Sequence, residues 1–132
     1  MNIPFLCVGI AFFMLFLTKI PVAIAMRKEG HYDNHHPRDQ QARLTDWGRR
    51  ALAAHQNAFE SFAPFAAAVI IAKIGGGDPV WSARLAVAFI VARVAYTWLY
   101  LADSPSLRSS VWMLGTLATL ALFLLGIFGS PA

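Results

Sequence analysis

Charge is scarce in this chain. Only 14% of its 132 residues are Asp, Glu, Lys or Arg, against roughly 25% in water-soluble domains. A single cysteine, Cys7, rules out an intrachain disulfide and, inside an apolar stretch, reads as a small packing residue. Strand-like alternation of useful length is missing, and no internal repeat or pair of broken helices of the transporter kind is evident. There is no platform of interleaved basic and aromatic side chains. The net charge of +4 and pI near 9.7 therefore argue for contact with a membrane surface, and no nucleic-acid partner is expected. His31, Asp33, His35 and His36 lack the helical spacing of a preformed ligand set, so they read as a solvated loop without a metal. The amino-terminal apolar segment has no positive residue before it, and Arg27-Lys28 follow it. Those flanks describe a retained anchor, not a cleaved leader.

What remains is hydrophobic: 58% of the chain, with a mean hydropathy of +0.54. Four apolar stretches fill it, at about residues 3–26, 50–74, 80–102 and 109–128, each long enough to cross a bilayer as a helix. The fold class expected is all-α, one integral membrane domain over residues 1–132 built as a four-helix transmembrane bundle. Lys19 and Pro21 interrupt the first span, where the proline weakens the helix and favours a bend. Gly75-Gly76-Gly77-Asp78-Pro79 ends the second, and Asp103-Ser104-Pro105 ends the third. The fourth carries no charge, and its Gly115, Ala118 and Thr119 suit close helix contact. Seven of the eleven Lys and Arg residues flank the first and third connections (Arg27, Lys28, Arg38, Arg43, Arg49, Arg50, Arg108). Only Lys73 and Arg84 lie on the other side. Both termini are thereby expected on the non-cytoplasmic side.

Polar groups inside the spans point to a site, because a charge within hydrocarbon costs roughly 2.5–3.5 kcal/mol on insertion scales and tends to face the bundle interior. Asn57, Glu60, Ser61 and Pro64 share a face of the second span, with Ala53 one turn earlier and His55 nearby. Pro64 lacks an N–H, leaving the Glu60 carbonyl without its usual donor. Arg93, Tyr96, Thr97 and Tyr100 share a face of the third span. The simplest expectation is an Arg93–Glu60 ion pair at the cytoplasmic end, closed by Arg108 and Ser109 opening the fourth helix. Such a pair can serve only to hold helices in register, but Asn57, His55, Tyr96 and Tyr100 exceed what a pair needs. Trp47, Trp81 and Trp112 read as interfacial anchors, and Phe59, Phe62 and Phe65 as lipid-facing or packing side chains.

The run from Arg50 through His55, Asn57, Glu60, Ser61 and Pro64 to Phe65 resembles the second-helix signature of the MAPEG superfamily, membrane-associated proteins in eicosanoid and glutathione metabolism. The run Ala92 to Tyr100, followed by Leu107-Arg108-Ser109, is similar to the same family, and the likeness covers essentially the whole chain. It implies a homotrimer that binds glutathione between subunits and acts on a lipophilic small molecule. By motif, Asn57, Glu60, Arg93, Tyr96 and Tyr100 fall on glutathione-binding positions. Arg108 falls near the arginine that stabilises the thiolate. The long basic loop is similar to bacterial members, which implies a bacterial inner membrane. The function implied is a glutathione-dependent transferase or peroxidase for lipophilic electrophiles. The alternative is a non-catalytic scaffold or lipid-binding protein of the same fold. Two positions depart from the family pattern: Ala53 replaces a glutathione-binding arginine, which favours the alternative, and Gln56 replaces a basic residue.

Overall fold

A computed structural model describes residues 1–130. Six helices follow in order: α1 (Ile3–Leu17), α2 (Lys19–Lys28), α3 (Pro37–Ala42), α4 (Asp46–Ile74), α5 (Pro79–Leu101) and α6 (Pro105–Ile127). There is no strand among the described residues. The first apolar helix runs over Ile3–Lys28 as α1 and α2, and with α4, α5 and α6 it gives four helices able to cross a membrane. Their outward faces are apolar, as at Phe13, Val91, Trp98 and Leu114. Water would not tolerate such a continuous surface on a monomer, but lipid does. The chain is an integral membrane protein.

Proline sets where two of these helices begin. Pro79 and Pro105 occupy first-turn positions, where their missing N–H is no loss. The fourth helix therefore starts at Pro105, and Arg108 sits within its first turn, not before it. The second span likewise starts earlier than its hydropathy suggests, at Asp46. At Pro21 the missing N–H weakens the ladder, and α1 gives way to α2 at Thr18. There the Thr18 hydroxyl donates to the Met14 carbonyl at 2.9 Å.

α1 and α6 each pack on both α4 and α5 but, among the described residues, not on each other. The core between them centres on Phe65 and Phe89, fully buried rings stacked 3.8 Å apart between α4 and α5. Gly115, Ala118 and Thr119 are buried on α6, as their size suggests. A smaller core of Val22, Met26, Leu44 and Ala51 seats α2 against α4. Lys28 lies over the Trp47 ring at this end.

The segment between α2 and α4 is folded, not merely solvated. Gln40 is buried, donates to the carbonyls of Met26 and His31, and accepts from the Asp33 N–H at 2.9 Å. Asp33 in turn accepts the backbone N–H groups of His35 and His36. The His36 N–H chiefly, with that of His35 and the charges of His36 and Arg43, holds the Asp33 carboxyl below its ordinary pKa. A depressed carboxylate contributes order fully above its unfolded pKa of about 4 and loses it as pH falls through the folded value. Amide protection at His35 and His36, corrected for intrinsic exchange, is expected to fall below about pH 4. Asp33→Asn should abolish that pH dependence; an unchanged profile in the variant would assign it elsewhere.

Candidate functional site

Two helices meet at Arg93. It lies on α5 between the Phe89 and Tyr96 turns, only 5% exposed. A guanidinium cannot shed its charge, so it needs partners. One Nη donates to Asn57 Oδ1 across the α4–α5 interface. Its plane also faces the Tyr96 ring, with Cζ 4.3 Å from the centroid. Asn57 is therefore held at both ends of its amide. The Oδ1 accepts from Arg93, and Nδ2 donates to Glu60 Oε2 at 3.1 Å, one turn along α4.

The direct Arg93–Glu60 ion pair does not form. Among the described residues the close ion pairs are Asp33–His36 and Arg50–Asp103. Glu60 is exposed on the wall of the cleft. The amide one turn earlier is at the right height for the guanidinium. An asparagine thus relays between the two charges, giving each a hydrogen bond without burying the carboxylate.

Beyond Arg93 the chain of contacts continues along α5. Tyr96 and Tyr100 are one turn apart and meet edge to face, with centroids 5.5 Å apart. Arg108 of α6 lies over the Tyr100 ring at 4.2 Å. Glu60, Asn57, Arg93, Tyr96, Tyr100 and Arg108 therefore form one continuous series across three helices. Each aromatic face between the two arginines is a favourable seat for a cation.

A cleft of about 340 Å³ opens beside the first part of this series. Asn57, Glu60 and Arg93 line it together with Pro64 of α4 and Trp112 and Thr116 of α6. Trp112 and Thr116 were not legible as site residues. Trp112 reads as an interfacial anchor and stays exposed, but its place on α6 also makes it a wall of the cleft. Ala53 is half-buried, and Arg50, three residues before it, is paired with Asp103 at 3.5 Å.

His55 belongs elsewhere. Two residues from Asn57 is about 200° around a helix, so His55 faces α1, its Nδ1 3.0 Å from Thr18 Oγ1, and its ring meets the edge of Phe59. Ser61 also lines the cleft, although its hydroxyl is turned to the Ala58 carbonyl at 3.2 Å.

No curated protein matches the chain. A family model described as the MAPEG family does, over residues 3–128. That span takes in all four membrane helices and every member of the series from Glu60 to Arg108. By that match the chain belongs to the MAPEG family.

Proposed function

We propose that the protein is a glutathione-dependent membrane transferase or peroxidase acting on lipophilic electrophiles, working as a homotrimer with this end of the bundle toward the cytoplasm. The observation that carries this reading is the continuous series Glu60–Asn57–Arg93–Tyr96–Tyr100–Arg108, of which Asn57, Glu60 and Arg93 line an open cleft. Its chemistry suits the tripeptide: two guanidinium groups for carboxylates and thiolate, one carboxylate for the ammonium, and phenols and an amide for the peptide groups. Glutathione supplies the sulfur nucleophile. Asn57 and Tyr96 hold the Arg93 guanidinium in place before any ligand arrives, so less order has to be imposed on binding. Arg108 is the group proposed to favour the thiolate by its charge, releasing the thiol proton to water. In the transferase reaction the carbon–sulfur bond forms as the leaving group departs with its electron pair. The membrane-facing apolar surface brings the lipophilic partner to the same end.

Arg108→Ala is expected to lower turnover with a general aromatic electrophile by at least tenfold at neutral pH, with smaller losses at alkaline pH where thiolate forms unaided. A rate unchanged at all pH values would remove Arg108 from catalysis. A second reading, a non-catalytic scaffold, is favoured by Ala53 together with the commitment of Arg50 to Asp103. A cationic contact to a carboxylate is worth roughly 1.5–3 kcal/mol, and Arg50 is already engaged where a substitute would be needed.

A further inference from the structure

Two turns of this bundle are built alike and differ at one residue. α4 ends at Gly75, and the Gly77 N–H donates back to the Ala72 carbonyl at 2.8 Å, with Gly76 between them at a φ of 74°. α5 ends at Ala102, and the Ser104 N–H donates back to the Leu99 carbonyl at 3.0 Å, with Asp103 between them at a φ of 59°. Each helix thus closes through one residue in the left-handed region, a place that glycine usually fills. An aspartate there carries a Cβ into a conformation that glycine adopts at no steric cost. The backbone of the turn gives no reason for it.

The side chain does. Asp103 Oδ2 lies 3.5 Å from Arg50 Nη1, which ties the α5–α6 turn to α4. Asp103 supplies the one carboxylate within ion-pair distance of Arg50 among the described residues. The Arg50 Nε is buried with no hydrogen-bond partner in the protein. Arg50 stands seven residues before Asn57, two turns away along the same face of α4. On the other side of the turn the backbone leads directly to Arg108, whose N–H donates to the Ser104 carbonyl at 3.0 Å. Asp103 therefore sits between Tyr100 and Arg108, where α5 hands over to α6.

We propose that Asp103 is a positioning residue: by holding Arg50 it fixes the α5–α6 turn against α4, and so sets Arg108 relative to Asn57 and Glu60. The catalytic part of this proposal rests on the glutathione-dependent reading above, whereas the tethering of the turn does not. The Asp103 side chain is 66% exposed, and an ion pair so placed contributes little to global stability. Its contribution is to geometry. Backbone strain retained beside working residues fits that role, since such strain persists only where the surroundings hold it.

The test uses the full chain in detergent, with two readouts. Asp103→Asn is the main variant, because asparagine tolerates the left-handed region and only the charge is lost. Asp103→Asn and Arg50→Gln should each lower glutathione-dependent turnover of an aromatic electrophile by about threefold, on the scale of an exposed ion pair. Arg50→Lys keeps the charge and should keep most of the rate. In an Arg108→Ala background neither Asp103→Asn nor Arg50→Gln should lower it further. A loss that persists in that background would overturn the proposal. So would a much larger loss in Arg50→Gln than in Asp103→Asn, since Arg50 would then act on the substrate itself. Amide exchange needs no glutathione and separates the tether from the activity. Protection of the Arg108 N–H should fall by a similar factor in Asp103→Asn and Arg50→Gln, and protection at Asn57 should not change. Unchanged protection at Arg108 would overturn the proposal even in an active enzyme. The expected fall in a protein without glutathione-dependent turnover would support the tether and remove the proposed activity.

Discussion

Replacing Asn57 by leucine is expected to destabilise the protein by about 3 kcal/mol, within the range for orphaning a buried charge, although the substitution removes no formal charge. The reason is Arg93. It is 5% exposed and donates to the Asn57 amide oxygen. Leucine leaves the guanidinium with the Tyr96 ring and no carbonyl acceptor on α4. Glu60→Gln should cost under about 1 kcal/mol, as exposed pairs do, because Glu60 meets the amide and not the guanidinium. Arg93→Met combined with Asn57→Leu should cost clearly less than the two single substitutions added, since neither then strands a partner. Chemical unfolding in mixed micelles measures all four. A Glu60→Gln loss equal to that of Asn57→Leu would mean that the carboxylate, not the amide, carries the contact.

Gly126→Ala is the other substitution expected to do large damage, about 2–3 kcal/mol, at the upper end of overpacking costs. A Cβ on Gly126 would stand 2.4 Å from the Ile71 carbonyl oxygen, and one on Gly75 only 2.0 Å from the Gly126 carbonyl oxygen. The ends of α4 and α6 thus touch backbone to backbone, with no flexible side chain available to move aside. Gly9 on α1 is the control: a Cβ there meets nothing within 4 Å. Gly9→Ala should be neutral or stabilising by up to about 1 kcal/mol through helix propensity. Equal melting temperatures for Gly126→Ala and Gly9→Ala would show that the helix ends separate readily.

Hydropathy alone reveals the four membrane helices, because length and apolarity are both one-dimensional properties of the chain. The break near Thr18 is legible too, since Pro21 must remove a hydrogen bond wherever the helix packs. Asn57 and Arg93 could be placed on facing helices from their spacing. Which α4 group meets the guanidinium could not, since Asn57 and Glu60 share a face and differ by one turn in height. Charge makes Glu60 the obvious partner; height along α4 selects Asn57. His55 was drawn toward the site by its chemistry, whereas its angle around α4 sends it to Thr18. Trp112 and Thr116 lie at the edge of the face that Gly115, Ala118 and Thr119 mark for packing, and an edge position does not by itself distinguish a cleft wall from a lipid-facing one. The Gly75-Gly76-Gly77 run reads as a stop. Its contact with Gly126 depends on a crossing that no local pattern encodes.

The proposed activity requires the series from Glu60 to Arg108 to act as one binding surface for glutathione. Its most direct test is the melting temperature of the protein in detergent as glutathione is raised through the millimolar range. A ligand bound only to the folded state at about 100 times its Kd adds about 2.7 kcal/mol. The wild-type protein should therefore gain several degrees, and Arg108→Ala and Asn57→Leu should each gain clearly less from their own baselines. A melting temperature that stays flat in the wild type, or rises equally in all three proteins, would contradict the account.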